Sequence, residues 1–530
     1  MNKLPSSILL LIVFVTLLSC SGERELSEEE VLLSQKISEK LENKTQIQIN
    51  EDTLTCSSDL LSFYSQHEYA PVWANNSGLN AKGKEFFSIV ENSREWGLHP
   101  EFYHYSRLKA AVDSNIVDAE LYLSNAFLLM ATHVSVGFMD STSKELVWKK
   151  DSLKFDVLSL LDEVNTADSI ASLLSRNEPK YWEYQQLKKG IKTFINTYPL
   201  DTNHFDIPAF KEDSVACYAV AKKALLAHEY LDSSEAENDS IFIERLKGFQ
   251  KANGLKDDAI VGKWTGRKLS QSNQERWYQA ALAMEKWRWK TTPYPDRYIR
   301  VNIPEYTLYF VDSSEIKRKH RVIVGAYATP TPEFNAQMKT IVTYPFWHVP
   351  YSISSTEILW AVKKDSSYLR KKGYKIFQGG NEIDPTSVDW SSISQFKFPY
   401  KVRQEGGGGN SLGNIKFLFP NEHFVFIHDT PARGLFKNDV RAYSHGCIRL
   451  HNPLDLAKAI ITSEENRIIS DTLDNIMMRK EQRVIEVRKK FQVYIEYISA
   501  VGDSSGAVIF YPDIYNRDEK YLKNTLKKFD

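Results

Sequence analysis

Between about residues 54 and 200 the apolar positions keep returning to one face, as in Leu121, Leu123, Ala126, Phe127, Met130 and Val134. That period predicts helices, and Trp96-Gly97-Leu98-His99-Pro100 reads as a turn between two of them. From 206 to 270 a shorter helical stretch carries Leu246-Lys247-Gly248-Phe249-Gln250, then Asn253-Gly254-Leu255, Asp258, Ile260, Gly262 and Thr265. Trp277 to Trp289 sets Ala280, Met284 and Trp287 at helical spacing and predicts a core helix. After Pro293 the texture changes to β-branched and aromatic runs at 298–303, 306–311 and 321–325, which predict strands joined by tight turns. A more polar, partly helical stretch at about 354–400 interrupts them. Strands are expected again at 415–419, at 424–427 (apolar on both faces), and last at 493–498 and 507–511. The pattern is that of a multidomain α+β chain: a helical N-terminal scaffold, a small helical module, and a mainly β domain with a partly helical insertion.

The two ends refine this picture. Lys3 precedes an apolar run from Ile8 to Leu18, about half the ~20 residues that cross a bilayer, so it reads as the core of a secretion signal. Leu17-Leu18-Ser19-Cys20 resembles a bacterial lipobox. The mature chain is expected to start at a lipidated Cys20, on the outer or inner membrane, and to face the periplasm, with membrane contact through that anchor only. Residues 21–52, rich in Glu, Ser, Lys and Asn, read as a tether. Length supports several domains, since 530 residues exceed what one core holds. With 67 basic against 68 acidic residues the net charge is -1, so no positive field is available to gather nucleic acid.

Four cysteines, Cys20, Cys56, Cys217 and Cys447, are too far apart for a zinc site or a disulfide scaffold. Cys56 and Cys217 read as structural, and a disulfide between them is left open. Cys447 differs. The strand expected at 424–427 ends in His428-Asp429-Thr430-Pro431, and nineteen residues after His428 stands Cys447, within Ser444-His445-Gly446-Cys447-Ile448-Arg449. Asn452-Pro453 then signals a helix start, which places Cys447 close to it. A free thiol titrates near ~8.5, and a neighbouring imidazolium lowers that by units, so a thiolate–imidazolium pair is expected. Gly446, lacking Cβ, allows close backbone approach, so the amides of Gly446 and Cys447 are candidates for an oxyanion hole in which each donor is worth ~3 kcal/mol. His67-Glu68 and His228-Glu229 lack the second histidine of a zinc helix, and Gly408 to Gly413 is followed by Asn414 instead of Lys. No metal and no cofactor is expected.

The pair His428-Asp429-Thr430-Pro431 and Ser444-His445-Gly446-Cys447-Ile448-Arg449 resembles the signature of the L,D-transpeptidase (YkuD-type) family. Val301-Asn302-Ile303-Pro304, Thr331-Pro332, Trp347 through Pro350, Arg403-Gln404, Asn410-Ser411-Leu412-Gly413 and Lys416-Phe417 through Pro420-Asn421 extend the resemblance to its large multidomain subgroup. The chain departs from that subgroup at His348, where Asn is usual, and in the four glycines 406–409. The resemblance implies a helical scaffold domain at 53–205, a peptidoglycan-binding-like domain at 206–272, a connecting helix at 273–295 and a catalytic domain at 296–480. It further implies a substrate-capping insertion at about 354–400 and C-terminal strands at 481–530 that complete the scaffold. It implies Cys447 as nucleophile on the carbonyl of the third residue of a peptidoglycan stem, and His428 as general base with its tautomer fixed by the Asp429 carbonyl. Gly446 would serve as oxyanion donor, with His445, Arg449, Asp429 and Ser444 lining the substrate. The thioester would pass to an amine of a second stem, giving a 3→3 cross-link; with water the chain would be a carboxypeptidase. Stem peptides are thus the implied donor and acceptor, and other cell wall enzymes the implied company. From another class, a lipid-anchored peptidoglycan-binding scaffold with a degenerate site is the competing reading.

Overall fold

The computed structural model describes residues 26–139, 156–290, 292–463, 467–523 and 525–526. The leader and Cys20 lie outside the described residues. Helix α1 (Glu28–Leu41) begins in a capping box, where the Ser27 hydroxyl accepts from the Glu30 amide and the Glu30 carboxylate accepts from the Ser27 amide. Its Leu33, Ile37 and Leu41 are buried in the scaffold core. The segment read as a tether therefore folds from Glu28 onward. Three apolar residues four apart form a stripe narrow enough to be hidden by the polar composition around it.

The scaffold is built on α2 (Ile116–Val136), which is buried on nearly every side. Even Glu120 lies inside, where its carboxylate accepts from the amides of Val72 at 2.7 Å and Trp73 at 2.9 Å and from the Tyr64 hydroxyl at 2.8 Å. Burial still pushes its pKa up to about 7. After α3 (Trp182–Thr197), helices α4 (Ser214–Ala227), α5 (Asp239–Ala252) and α6 (Lys263–Leu269) enclose a small core of Cys217, Leu225, Leu246 and Phe249. Thr265 sits inside α6 and does not cap it. Its hydroxyl faces the Gln250 amide at 3.3 Å, and Gly262 occupies the cap position. Cys56 and Cys217 are both free, Cys56 on the scaffold and Cys217 in this three-helix unit.

Helix α7 (Asn273–Arg288) is buried along almost its whole length and ties the parts together. Trp277 donates to the Arg94 carbonyl, Arg288 to the Trp96 carbonyl, and Asn273 to the His228 carbonyl. On the other side Gln279 donates to the carbonyls of Ser499 and Tyr511, and Lys286 pairs with Asp518 at 2.7 Å.

The β domain closes on itself. Its strands are β1 (Tyr298–Asn302), β2 (Thr307–Asp312), β3 (Glu315–Gly325), β4 (Phe334–Thr343), β5 (Trp347–Val349), β6 (Tyr374–Gln378), β7 (Asn381–Ile383), β8 (Lys401–Gln404), β9 (Ile415–Leu418), β10 (Ile427–His428), β11 (Ala442–Ser444), β12 (Ile448–Leu450) and β13 (Arg483–Glu496). The sheet order is β11-β3-β12-β10-β9-β4-β13-β1-β2, and β2 pairs back onto β3. Only β12–β10, β13–β1 and the edge contact of β11 with β3 are parallel. The interior is filled by Ile299, Val301, Leu308, Val322, Ile341, Phe417, Ile427, Ile448 and Val493.

Strands β5, β6, β7 and β8 form a separate four-stranded sheet with its own core of Leu359, Leu369, Ile376, Trp390 and Val402. The insertion thus runs from Trp347 to Gln404, wider than the 354–400 expected, because its first and last strands pair with each other. At the C-terminus the expectation is corrected in part. Strand β13 belongs to the catalytic sheet, between β4 and β1. The hairpin β14 (Ala500–Gly502) and β15 (Val508–Phe510), with Leu522 and Leu526 beyond it, joins the core formed by α3 and α7.

Candidate active site

Two neighbouring strands place the site. β10 and β12 run parallel, with Ile427 opposite Ile448 and His428 opposite Arg449. Ile427 and Ile448 point into the barrel core, so alternation turns His428 and Arg449 to the other face, and Cys447, two residues before Arg449, shares that face. On the other flank β9 pairs Lys416 with His428. One face therefore gathers a thiol, an imidazole and two cations. Asn452-Pro453 does start a helix, α8 (Pro453–Ser463), but β12 lies between it and Cys447. The expected closeness of Cys447 to that helix is lost.

The run 424–427 is a strand only at its last residue. Phe424 is 87% exposed with φ 54°, and Asn421 explains it: its side chain donates to the carbonyls of Phe419 and Val425 and accepts from the amides of His423 and Val425. One amide side chain thereby folds the chain into a loop. The loop brings the Phe424 carbonyl to 4.0 Å from the Cys447 sulfur.

His428 is buried and its Nδ1 donates to the Asp429 carbonyl at 2.5 Å, which leaves Nε2 as the basic nitrogen. Burial first, then the Arg449 charge, with Lys416 adding to it, press the imidazole down to about 3 against the pull of that carbonyl. Burial pushes the half-buried Cys447 thiol up, opposed by a backbone contact with Phe426 and by Arg449. Both shifts favour the neutral forms, against the thiolate–imidazolium pair expected from the sequence: burial disfavours both charges, and Arg449 and Lys416 further disfavour an imidazolium.

The remaining expected residues divide. Asp429 is buried with both oxygens in use, accepting from the Thr430 amide at 2.8 Å, Arg433 at 2.9 Å and the Asn414 amide at 2.9 Å. Ser444 is buried too, donating to the Cys447 carbonyl at 2.5 Å and accepting from the Gly446 amide at 3.2 Å. Neither side chain is placed to line a substrate; both hold the loop in shape. The bond from Gly446 also occupies the amide expected in the oxyanion hole. Gly446 has φ +106°, and a Cβ built on it would meet nothing closer than 3.9 Å, so its conformation demands glycine and crowding does not. His445 is exposed and bonds through Nε2 to Glu357 at 2.5 Å, on a π-type turn (Ser354–Ile358) of the insertion.

Arg449 and Lys416 are half-buried, and among the described residues no acidic side chain acts on either. His348, from β5 of the insertion, is held below its usual pKa by burial, Arg403 and Lys416, which puts it near Lys416. Sequence reasoning assigned no role to Lys416 or Glu357. Lys416 has a signal, a cation on a strand whose neighbours Ile415 and Phe417 are core residues, whereas Glu357 sits in a polar stretch with none.

Comparison with known proteins agrees with this arrangement. A scaffold-domain family matches residues 58–191, and an L,D-transpeptidase catalytic-domain family of YkuD type matches residues 296–468. A Haemophilus influenzae protein named "Putative L,D-transpeptidase" is 33% identical over 240 residues, which is 45% of this chain and 48% of that protein. The chain thus spans about half the length of the curated relative it matches. The closed β domain with its cysteine loop is the part of the chain, residues 296–468, that is similar to the YkuD-type L,D-transpeptidase catalytic domain, and it lies beside a helical scaffold.

Proposed function

We propose that the chain is a cysteine-dependent L,D-transpeptidase that acts on peptidoglycan stem peptides. The observation that supports this is the placement of Cys447, His428, Arg449 and Lys416 on one face, where among the described residues neither cation has an acidic partner and both are free to take carboxylates. A tetrapeptide stem brings carboxylates, and Arg449 offers them a planar fork.

The chemistry follows from the neutral resting state. His428 Nε2 takes the thiol proton as sulfur attacks the carbonyl carbon of the third stem residue, and the carbonyl oxygen becomes an oxyanion. Collapse breaks the bond to the terminal D-Ala, whose nitrogen receives the proton from His428. A thioester remains. An acceptor amine then attacks it, gives its proton to His428, and releases the Cys447 thiolate, which recovers that proton. The product is a new peptide bond between stems.

The periplasmic setting rests on the leader and the lipobox-like Cys20, and the three-helix unit on α4–α6 is assigned to peptidoglycan binding. Incubation of the full chain with tetrapeptide muropeptides, followed by separation of the products, tests the reading. Cross-linked dimers and released D-Ala are expected, and their persistence after Cys447→Ala rules Cys447 out.

A further inference from the structure

The corner that holds Cys447 is anchored from behind by a residue outside the motif. The Thr331 hydroxyl is 2.8 Å from the Gly446 carbonyl and 2.8 Å from the Gly325 amide. Gly325 N–H is a donor only, so the hydroxyl must accept there and has its single proton left for the Gly446 oxygen. Thr331 is itself fixed. Its amide donates to the Tyr515 hydroxyl at 3.2 Å, and that hydroxyl donates to the Gly325 carbonyl at 2.6 Å. Thr331 and Gly325 are further locked by close packing, since a Cβ at Gly325 would lie 2.1 Å from the Thr329 carbonyl oxygen.

A trans peptide is planar, with its C=O and N–H pointing in opposite directions. All peptides in the described structure are trans. A Gly446 carbonyl drawn back toward Thr331 therefore turns the Cys447 N–H forward, away from Thr331. The Gly446 amide is engaged with Ser444, while among the described residues the Cys447 amide has no partner. We propose that Thr331 is a positioning residue: through the Gly446 carbonyl it aims the Cys447 N–H at the oxyanion, and Tyr515, from the C-terminal segment, holds Thr331 in that task. The inference rests on Cys447 being the acyl-transfer nucleophile.

Two electrophiles separate this role from a general structural one. Acylation of Cys447 by a carbapenem passes through an oxyanion; alkylation by iodoacetamide displaces iodide and forms none. Thr331→Val in the full chain is expected to slow acylation by about 10²-fold, the worth of one oxyanion donor, while alkylation stays within about threefold, and Thr331→Ser restores acylation. Parallel loss in both reactions, or unchanged acylation, overturns the proposal. If Thr331→Val does not fold, Tyr515→Phe decides: acylation reduced about tenfold relative to alkylation supports the proposal, and an unchanged ratio overturns it. A wild-type chain that alkylates at Cys447 but is never acylated there refutes the nucleophile assignment instead.

Discussion

The resting protonation state of the site has a direct kinetic consequence. An ordinary thiol loses its proton near ~8.5, and burial places Cys447 above its ordinary range. His428 binds a proton only near about 3. Moving the proton from sulfur to imidazole is therefore uphill, and the ion pair is a minor species at rest. Thiolate arises by loss of the proton to solvent alone. The rate of Cys447 alkylation by iodoacetamide, followed by peptide mass mapping to set aside Cys56 and Cys217, should rise about tenfold per pH unit from 6 to 8.5 without a neutral plateau. Lys416→Met removes a charge that helps to press the imidazole down, so His428 should titrate higher in that variant. A plateau with an inflection between about pH 5 and 7 in the wild type would refute the reasoning, because it would show a thiolate already paired with imidazolium.

Other consequences are more local. Arg449→Met and Lys416→Met should each raise KM for a tetrapeptide stem by about tenfold or more, the worth of a charge-assisted hydrogen bond, measured by steady-state release of D-Ala. Lys286→Met leaves the buried Asp518 carboxyl without its cation and should lower stability by about 3–5 kcal/mol in thermal or urea unfolding, with much of the loss recovered in Lys286→Met/Asp518→Leu. Gly446→Ala should cost about 1–3 kcal/mol through its φ of +106° and sharply reduce acylation, both readable on the purified chain. Glu357→Gln breaks an exposed contact with His445 and should change stability by less than about 1 kcal/mol while altering KM, which reports the insertion's hold on the active-site loop.

The sequence made the chemistry legible where its residues are contiguous. Ser444 to Arg449 is one loop and one short strand, and His428 ends a neighbouring one, so local pattern and spacing were enough to pair them. Properties that depend on what lies across the fold were not readable. The depressed pKa of His428 comes first from burial and then from the charges of Arg449 and Lys416 on the two flanking strands, which reach it only through strand register. Asp429 and Ser444 look like substrate ligands in a motif, yet their partners Arg433, Asn414 and the Cys447 carbonyl use up their oxygens. Phe424 reads as a buried strand residue until Asn421 is seen to bend the chain beneath it. Thr331 and Tyr515 stand far apart in sequence, and only barrel closure brings the C-terminal segment under the catalytic corner. Helix α1 was hidden for the opposite reason, a local signal of three residues masked by polar neighbours.

The central claim is that Cys447 carries the stem as a thioester, and intact-mass measurement of the full chain mixed with a tetrapeptide muropeptide tests it most directly. The account predicts an adduct on the Cys447 peptide equal in mass to the stem less D-Ala, absent from Cys447→Ala and discharged when an amine acceptor is added. An unmodified Cys447 peptide while D-Ala is released, or an adduct that survives Cys447→Ala, would contradict it.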